Sequence, residues 1–120
     1  MLLICYPRCG TCKKAEKWLQ EHNIAYDYRD ISVENPSEKE LRAWAAMSGL
    51  PLKKYFNTSG MLYREYELSK KLPEMSDDEK FALLATNGML VKRPIALADT
   101  GEVLVGFKEA DYEAVFLGRK

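Results

Sequence analysis

The sequence predicts a small α/β protein with a mixed four-stranded sheet, and three patterns support this class. A short apolar run at residues 2–6 is followed by an amphipathic stretch at 11–22 and by a second apolar run at 24–31. The middle of the chain carries two helix-capping patterns, and two short apolar runs separated by a turn follow near its end. The resulting order is strand, helix, strand, helical insert, two strands and helix, which is typical of a sheet with helices on both faces.

The first three elements form a strand–helix–strand unit. The helix predicted at 11–22 has one inward apolar face, formed by Ala15, Trp18, Leu19 and His22. Asn23 follows this helix as a stop signal. Because a helix connects the two apolar runs, we expect two parallel strands joined by a right-handed crossover.

The insert is predicted to be helical. Two capping boxes are present, Ser37 with Glu40 and Ser76 with Glu79. Gly49 is expected to end the first of these helices. The second capped helix is predicted to end at 87–88. Further helical segments are predicted at 52–56, 61–70 and 107–117, with a break at Pro73.

Two short strands at 95–98 and 103–105 are predicted to form a hairpin whose loop is no longer than Asp99-Thr100-Gly101-Glu102. Arg93-Pro94 comes directly before the hairpin. A proline is unusual there because it lacks a backbone donor, and it would suit a cis peptide bond facing the start of the first helix. The alternatives are a trans proline that begins the strand, and an arginine that is either a surface charge or a ligand for an anion or thiolate.

At 120 residues the chain is expected to form a single domain, 1–120. It has 18 basic and 18 acidic residues, and this balance argues against a broad surface for nucleic acid or anionic lipid. No apolar run reaches the ~18 residues of a membrane span, and residues 1–5 lack the features of a signal peptide. We therefore expect a cytoplasmic protein, and a monomer because no coiled-coil pattern is present.

All three cysteines of the chain, Cys5, Cys9 and Cys12, lie where the first strand turns into the first helix. A Cys-x-x-Cys that opens a helix behind a strand is typical of redox proteins, and a reducing cytosol disfavours a permanent bridge. Backbone N–H groups at the helix start, together with Arg8 and Lys13, favour a thiolate at Cys9.

Two of the thiols are predicted to have complementary roles. Cys9 is the expected attacking thiolate, and Cys12, one helical turn further on, is the expected resolving thiol. Gly10 would let the backbone of a partner approach closely, and Thr11 completes the motif. For Cys5 two interpretations stay open, a packed thiol or an extra redox partner for Cys9.

The cysteines allow two other interpretations. They could be buried thiols without reactivity, or they could form part of a zinc site, which needs two ligands beyond a Cys-x-x-Cys pair. His22, the only histidine, lies too far along the helix from Cys9 to be such a ligand. We expect it to act as a cation at the end of the helix.

Three segments together resemble the ArsC/Spx family of thioredoxin-fold proteins. They are Tyr6-Pro7-Arg8-Cys9-Gly10-Thr11-Cys12, Lys92-Arg93-Pro94-Ile95 and Val105-Gly106-Phe107-Lys108-Glu109. The resemblance extends over essentially the whole chain, including the helical insert. It implies a thioredoxin-like, glutaredoxin-related fold with an ArsC-like helical insertion and a cis peptide bond at Pro94.

Resemblance to the arsenate reductases of this family implies that Cys9 attacks an oxyanion held by three arginines. Arg93 matches one of them, but Asn57 and Gly106 stand at the other two positions. Cys12 stands where these reductases carry serine or another residue. One guanidinium instead of three would lose most of the charge-assisted bonds to an oxyanion, so these departures argue against arsenate reduction.

Resemblance to the Spx branch implies a redox-sensing regulator that binds RNA polymerase through the C-terminal domain of its α subunit. A third branch implies reductases that use glutathione. The sequence therefore supports two hypotheses. In the first, Cys9, Cys12 and Arg93 serve a thiol–disulfide reductase that needs no bound cofactor and takes electrons from thioredoxin, glutaredoxin or glutathione. In the second, the same disulfide switches binding to the polymerase.

Overall fold

A computed structural model describes residues 1–118 of the chain. It divides into two compact units, one formed by residues 1–30 with the chain from 93 onward, and one formed by residues 31–92. The first unit contains the sheet and the cysteines, and the second contains the helical insert. The interpretation that the chain folds as a single domain stays a prediction.

The first unit is built on a four-stranded sheet. Its strands are β1 (Leu2–Cys5), β2 (Asp27–Asp30), β3 (Ile95–Leu97) and β4 (Val103–Val105), in the order β2–β1–β3–β4. β1 and β2 are parallel, whereas β1 with β3 and β3 with β4 are antiparallel. The predicted mixed sheet, with one parallel pair and one hairpin, is confirmed.

The helices follow the predicted order. They are α1 (Gly10–Glu21), α2 (Glu38–Ser48), α3 (Met61–Glu65), α4 (Leu68–Lys71), α5 (Asp77–Leu84) and α6 (Glu109–Phe116). Short 3₁₀ turns lie at Leu52–Tyr55, Leu72–Glu74 and Gly88–Leu90. Within residues 1–118, no helix is both long enough and apolar enough to cross a bilayer.

Helix α1 packs one face into the core of the first unit. Its buried residues are Cys12, Ala15, Trp18 and Leu19. His22, predicted on the same face, is exposed instead, because α1 ends at Glu21 and His22 occupies the C-cap position. The imidazole stacks on the Trp18 ring with centroids 4.1 Å apart, and its Nδ1 lies 2.8 Å from the Trp18 carbonyl oxygen.

Both predicted capping boxes are present in the second unit. The Ser37 Oγ accepts a hydrogen bond from the Glu40 backbone N–H, and the Glu40 carboxylate accepts one from the Ser37 backbone N–H, each 3.1 Å long. Ser76 and Glu79 repeat this arrangement at the start of α5. Gly49 ends α2 with a φ of 66°, a left-handed conformation that glycine adopts without steric penalty.

The segment predicted to be helical at 61–70 is helical but not continuous, because the chain breaks into α3 and α4 at Glu67, whose φ is 53°. Tyr63 and Leu68 are both buried. On one continuous helix, side chains five positions apart would point about 140° away from each other. The break therefore lets both side chains reach the core.

Several boundaries also differ from the prediction. Strand β2 begins at Asp27 rather than at 24, because this edge strand pairs only with the four residues of β1. The α-helical segment ends at Lys71, just ahead of Pro73 as predicted, and Pro73 lies near the start of a 3₁₀ turn, where its missing N–H is not needed. Helix α5 ends at Leu84, ahead of the predicted stop at 87–88, and a separate 3₁₀ turn begins at Gly88.

Truncating the buried face of α1 should destabilise the first unit. Leu19 is fully buried, so Leu19→Ala should lower the free energy of unfolding by about 2 to 5 kcal/mol. Lys17→Ala on the exposed face of the same helix is the matched control and should change stability by less than about 0.5 kcal/mol. Urea denaturation followed by far-ultraviolet circular dichroism measures both, and equal effects would contradict the packing described here.

Candidate active site

Three free thiols lie together at the junction of β1 and α1. Cys5 is the last residue of β1 and is fully buried, whereas Cys12, in the first turn of α1, is 1% exposed. Cys9 is the N-cap residue of α1 and is half-buried. Cys5 and Cys12 belong to one core cluster, and Cys9 packs against it. Among the three, Cys9 is thus the thiol that solvent and a partner can reach.

The local sequence explains how the thiols meet. After Cys5 the chain turns, and the Cys9 backbone N–H donates to the Tyr6 carbonyl oxygen over 3.0 Å. Cys9 keeps an extended backbone, and its carbonyl accepts the first bond of α1, from the Lys13 N–H at 3.1 Å. Because side chains three residues apart share a helix face, Cys12 comes to lie beside Cys9 and behind it.

The electrostatics of the site favour a negative charge on Cys12. Its pKa is lowered from 9.0 to about 7, first of all by a hydrogen bond from the Cys5 thiol. The Tyr6 backbone N–H and the Cys9 thiol also bond to the Cys12 sulfur, and the positive charge of Arg93 attracts the thiolate. Burial acts in the opposite direction but does not cancel these effects.

Cys5 is the opposite partner in this pair. The hydrogen bond to Cys12 raises the pKa of the Cys5 thiol, and burial and repulsion from the Cys12 thiolate raise it further. The negative charge of Glu16, one turn beyond Cys12 on α1, adds to the effect. The reduced site therefore holds its proton on Cys5 and its charge on Cys12.

Arg93 and Pro94 face the turn that follows β1. The Arg93–Pro94 peptide bond is cis, as predicted. β1 and β3 pair with Ile4 opposite Ile95, so one further step of this register brings Pro94 beside Cys5 and Arg93 beside Tyr6. The Arg93 guanidinium lies 5.2 Å from the centroid of the Tyr6 ring, which is a cation–π distance.

The other predicted site residues have simpler surroundings. Gly10 opens α1 with empty space where a Cβ would be, so packing within the chain does not require a glycine there. Thr11 is exposed. Pro94 is buried, and its carbonyl accepts a 2.8 Å hydrogen bond from the Gly106 backbone N–H.

At two positions where the resemblance expects anion-binding arginines, this chain has Gly106 and Asn57, and both residues have a structural role. Gly106 has a φ of 81°, a left-handed conformation in which an arginine would be strained. Asn57 lies in the second unit, where its backbone N–H donates to Leu90 over 2.8 Å and its side-chain amide donates to Met89 over 3.4 Å. Neither position offers a cation.

Sequence reasoning gave no role to Tyr6, Glu16 or Tyr112, although each contributes to the site. Tyr6 supplies a backbone N–H to Cys12 and a ring to Arg93. Glu16 accepts a 2.9 Å hydrogen bond from Tyr26 and repels charge on Cys5. Tyr112 is fully buried in the core cluster that contains Cys5 and Cys12. Only Tyr6, inside the cysteine motif, could have been suspected from the sequence.

Among residues 1–118, no three His, Cys, Asp or Glu side chains are grouped so that they could hold a metal ion. The donor set of the cysteine site is thus three thiols, one guanidinium and backbone amides. Such a set suits thiolate chemistry.

Comparison with known proteins gives consistent matches along the chain. A model of the ArsC family matches residues 5–115. A solved ArsC family related protein from Bacteroides fragilis is 54% identical with a TM-score of 0.91, and the match covers 95% of each chain. A solved protein described as a possible arsenate reductase from Streptococcus mutans is 39% identical with a TM-score of 0.83, covering 93% of this chain and 96% of that one.

A regulatory protein is also similar. The global transcriptional regulator Spx from Staphylococcus haemolyticus is 31% identical over 114 residues, which are 95% of this chain and 84% of that protein. Together with the solved structures, these similarities confirm the predicted thioredoxin-like fold with its helical insertion.

The reduced protein should show a thiolate transition with a midpoint near pH 7, because hydrogen bonds and Arg93 lower the pKa of Cys12. Ultraviolet thiolate absorbance measures it. Cys12→Ser should remove this transition, and Cys5→Ala should move it to higher pH because the strongest hydrogen bond is lost. A transition near pH 7 that persists in Cys12→Ser would contradict the assignment of the charge to Cys12.

The same pKa shifts should make stability depend on pH. Between about pH 7 and 9 the folded protein binds fewer protons at Cys12 than the unfolded chain, so this contribution to stability grows with pH and is lost as pH falls through about 7. Above about 9 the raised pKa of Cys5 reverses the sign. Urea midpoints across this range should rise and then fall, and Cys5→Ser/Cys12→Ser should flatten the profile.

Proposed function

The chain belongs to the ArsC family, and from that membership we propose that it is a thiol–disulfide oxidoreductase in which Cys9 and Cys12 form a reversible disulfide. The observation that carries the proposal is the pairing of an accessible thiol with a buried neighbour whose pKa is lowered to about 7. We further propose that it acts in the cytoplasm as a monomer, with thioredoxin, glutaredoxin or glutathione as the reductant.

The first step is an attack by Cys9 on a disulfide substrate. Cys9 is the attacking group because Cys12 is 1% exposed and cannot meet a bulky disulfide. Cys9 packs against the cluster that contains Cys12, whose pKa is lowered to about 7, so the Cys12 thiolate takes up the Cys9 proton as the new bond forms. The substrate S–S bond breaks, a mixed disulfide forms on Cys9, and Cys12 returns the proton to the departing thiolate.

The second step is resolution by Cys12. Its thiolate attacks the Cys9 sulfur, the second substrate thiolate leaves, and the Cys9–Cys12 disulfide forms. An attacking thiol with a pKa close to the ambient pH is near the optimum for exchange, because it is substantially ionised and still nucleophilic. A reductant thiol then attacks the disulfide and restores the dithiol.

Arg93 is a positioning residue in this scheme. Its charge lowers the pKa of Cys12, and its stacking on Tyr6 orients the guanidinium at the turn before Cys9. A lone guanidinium supports a thiolate but does not replace the three-arginine set that the resemblance assigns to arsenate reductases. The proposed substrate is accordingly a disulfide rather than arsenate.

A second candidate function is a redox-switched regulator that binds the C-terminal domain of the α subunit of RNA polymerase. The similarity to the global transcriptional regulator Spx over 95% of this chain favours it. Formation of the Cys9–Cys12 disulfide would change the start of α1, and with it any surface that includes the exposed Pro7 and Arg8.

The oxidoreductase proposal predicts different losses for the two cysteines. With a small glutathione mixed disulfide as substrate and thioredoxin or glutathione as reductant, Cys9→Ser should reduce turnover to the level without protein. Mixed with substrate in the absence of reductant, Cys12→Ser should stop after the first step, because no neighbouring thiol resolves the adduct, and mass spectrometry should find substrate bound to Cys9. Lys17→Ala, on the exposed face of α1, is the control and should keep wild-type turnover. Wild-type turnover by Cys9→Ser would refute the proposal.

The regulator proposal predicts redox-dependent binding to the isolated C-terminal domain of the polymerase α subunit. Fluorescence anisotropy should show different affinities for the reduced and oxidised protein, and Cys12→Ser should bind equally under both conditions because it cannot form the disulfide. An absence of binding in both redox states would remove this candidate and leave the oxidoreductase proposal untouched.

A further inference from the structure

Cys5 is a nucleophilic side chain that the two-step mechanism does not use. It is fully buried at the end of β1, so no dissolved disulfide can reach it. The sulfurs within its reach are those of the same site. Cys5 shares one buried core cluster with Cys12, and Cys12 is the main cause of the raised pKa of the Cys5 thiol.

Cys12 holds the central sulfur of the three. It lies with Cys5 in the buried cluster against which the half-buried Cys9 packs, and hydrogen bonds from both thiols lower its pKa. Cys5 interacts with Cys9 only through charge, and this is the weakest of the effects on Cys5. Cys12 is therefore the sulfur that can pair with either neighbour.

We propose that Cys5 is a third redox thiol: it attacks the Cys12 sulfur of the Cys9–Cys12 disulfide, which leaves a buried Cys5–Cys12 disulfide and a free Cys9 thiol. The proposal rests on the proposed function only for the disulfide that it consumes. The Cys9–Cys12 bond breaks, the Cys5–Cys12 bond forms, and the proton of Cys5 moves to Cys9. No external oxidant or reductant takes part in this exchange.

Oxidation itself prepares Cys5 for the attack. In the reduced site, the hydrogen bond to the Cys12 thiolate and the charge of that thiolate hold the proton on Cys5. Once Cys12 enters a disulfide, its sulfur carries no charge, so both effects disappear. Burial and the charge of Glu16 continue to oppose ionisation. The thiol that is inert in the reduced protein thus becomes more reactive after the first disulfide has formed.

The exchange would give the site a second oxidised state. The accessible Cys9 is regenerated while the disulfide is stored between two side chains that are 0% and 1% exposed. A reductant could no longer attack this disulfide directly. It would react only after the reverse exchange had regenerated the Cys9–Cys12 disulfide. Reduction of the stored form should accordingly be slower than reduction of the Cys9–Cys12 form.

Trypsin separates the two oxidised states, because Arg8 lies between Cys5 and Cys9 whereas Cys9 and Cys12 share the peptide 9–13. The wild-type protein is oxidised with glutathione disulfide, quenched at intervals in acid with N-ethylmaleimide and denaturant, and digested. We expect first a loop, which is the Cys9–Cys12 disulfide within peptide 9–13. A cross-link should follow, which is the Cys5–Cys12 disulfide between peptides 1–8 and 9–13, with the maleimide on Cys9.

Matched variants complete the test. Cys5→Ser should keep the loop and lose the cross-link, and its oxidised form should be reduced by dithiothreitol in one fast phase where the wild type shows an additional slow phase. A loop without any cross-link, or a cross-link with the maleimide on Cys12, would overturn the inference while leaving the proposed function intact. If neither the loop nor the cross-link formed, the result would contradict both the Cys5 exchange and the proposed function.

Discussion

The hydrogen bonds that converge on the Cys12 sulfur are the interaction on which the rest of the site depends. Cys5, the Tyr6 backbone and Cys9 each contribute a donor, and together they hold negative charge in a nearly dry position. The arrangement exists because β1 ends at Cys5 and α1 begins just after Cys9, so that a strand end and a helix start place two thiols beside the sulfur of a third. A change in the length of the connecting turn would separate the donors from the acceptor and return Cys12 to an ordinary buried thiol.

Much of the fold could be predicted from the sequence, because its signals are local. The capping boxes at Ser37 and Ser76, the amphipathic face of α1 and the polar turn between β3 and β4 each fall within a few residues. Two of the errors arose where contacts distant in sequence decide the outcome. β2 is cut short by the length of β1, and the break at Glu67 follows from two side chains that both need the core. His22 fits the helical period, but α1 ends just before it.

The site could be predicted only in part, because its motifs are local in sequence whereas its contacts depend on packing. The cysteine motif indicated Cys9 and Cys12, and the proline before a predicted inner strand indicated Pro94 together with Arg93. No sequence rule indicates that Cys5 bonds to Cys12, because that contact depends on how β1 and α1 pack, and the charge consequently falls on the buried member of the pair. The family resemblance also could not show that the glycine at position 106 has a left-handed backbone, which disfavours the arginine of the arsenate reductases there.

The central claim is that Cys9 and Cys12 form a reversible disulfide, and an equilibrium titration against glutathione redox buffers tests it most directly. Free thiols at each poise are trapped with an alkylating agent and located by mass spectrometry. The account predicts a single two-electron transition in which two free thiols of the same molecule are lost, that of Cys12 always among them, and all three thiols are recovered on reversal. Three free thiols across the whole range of buffers would contradict it and leave only the fold and the family membership standing.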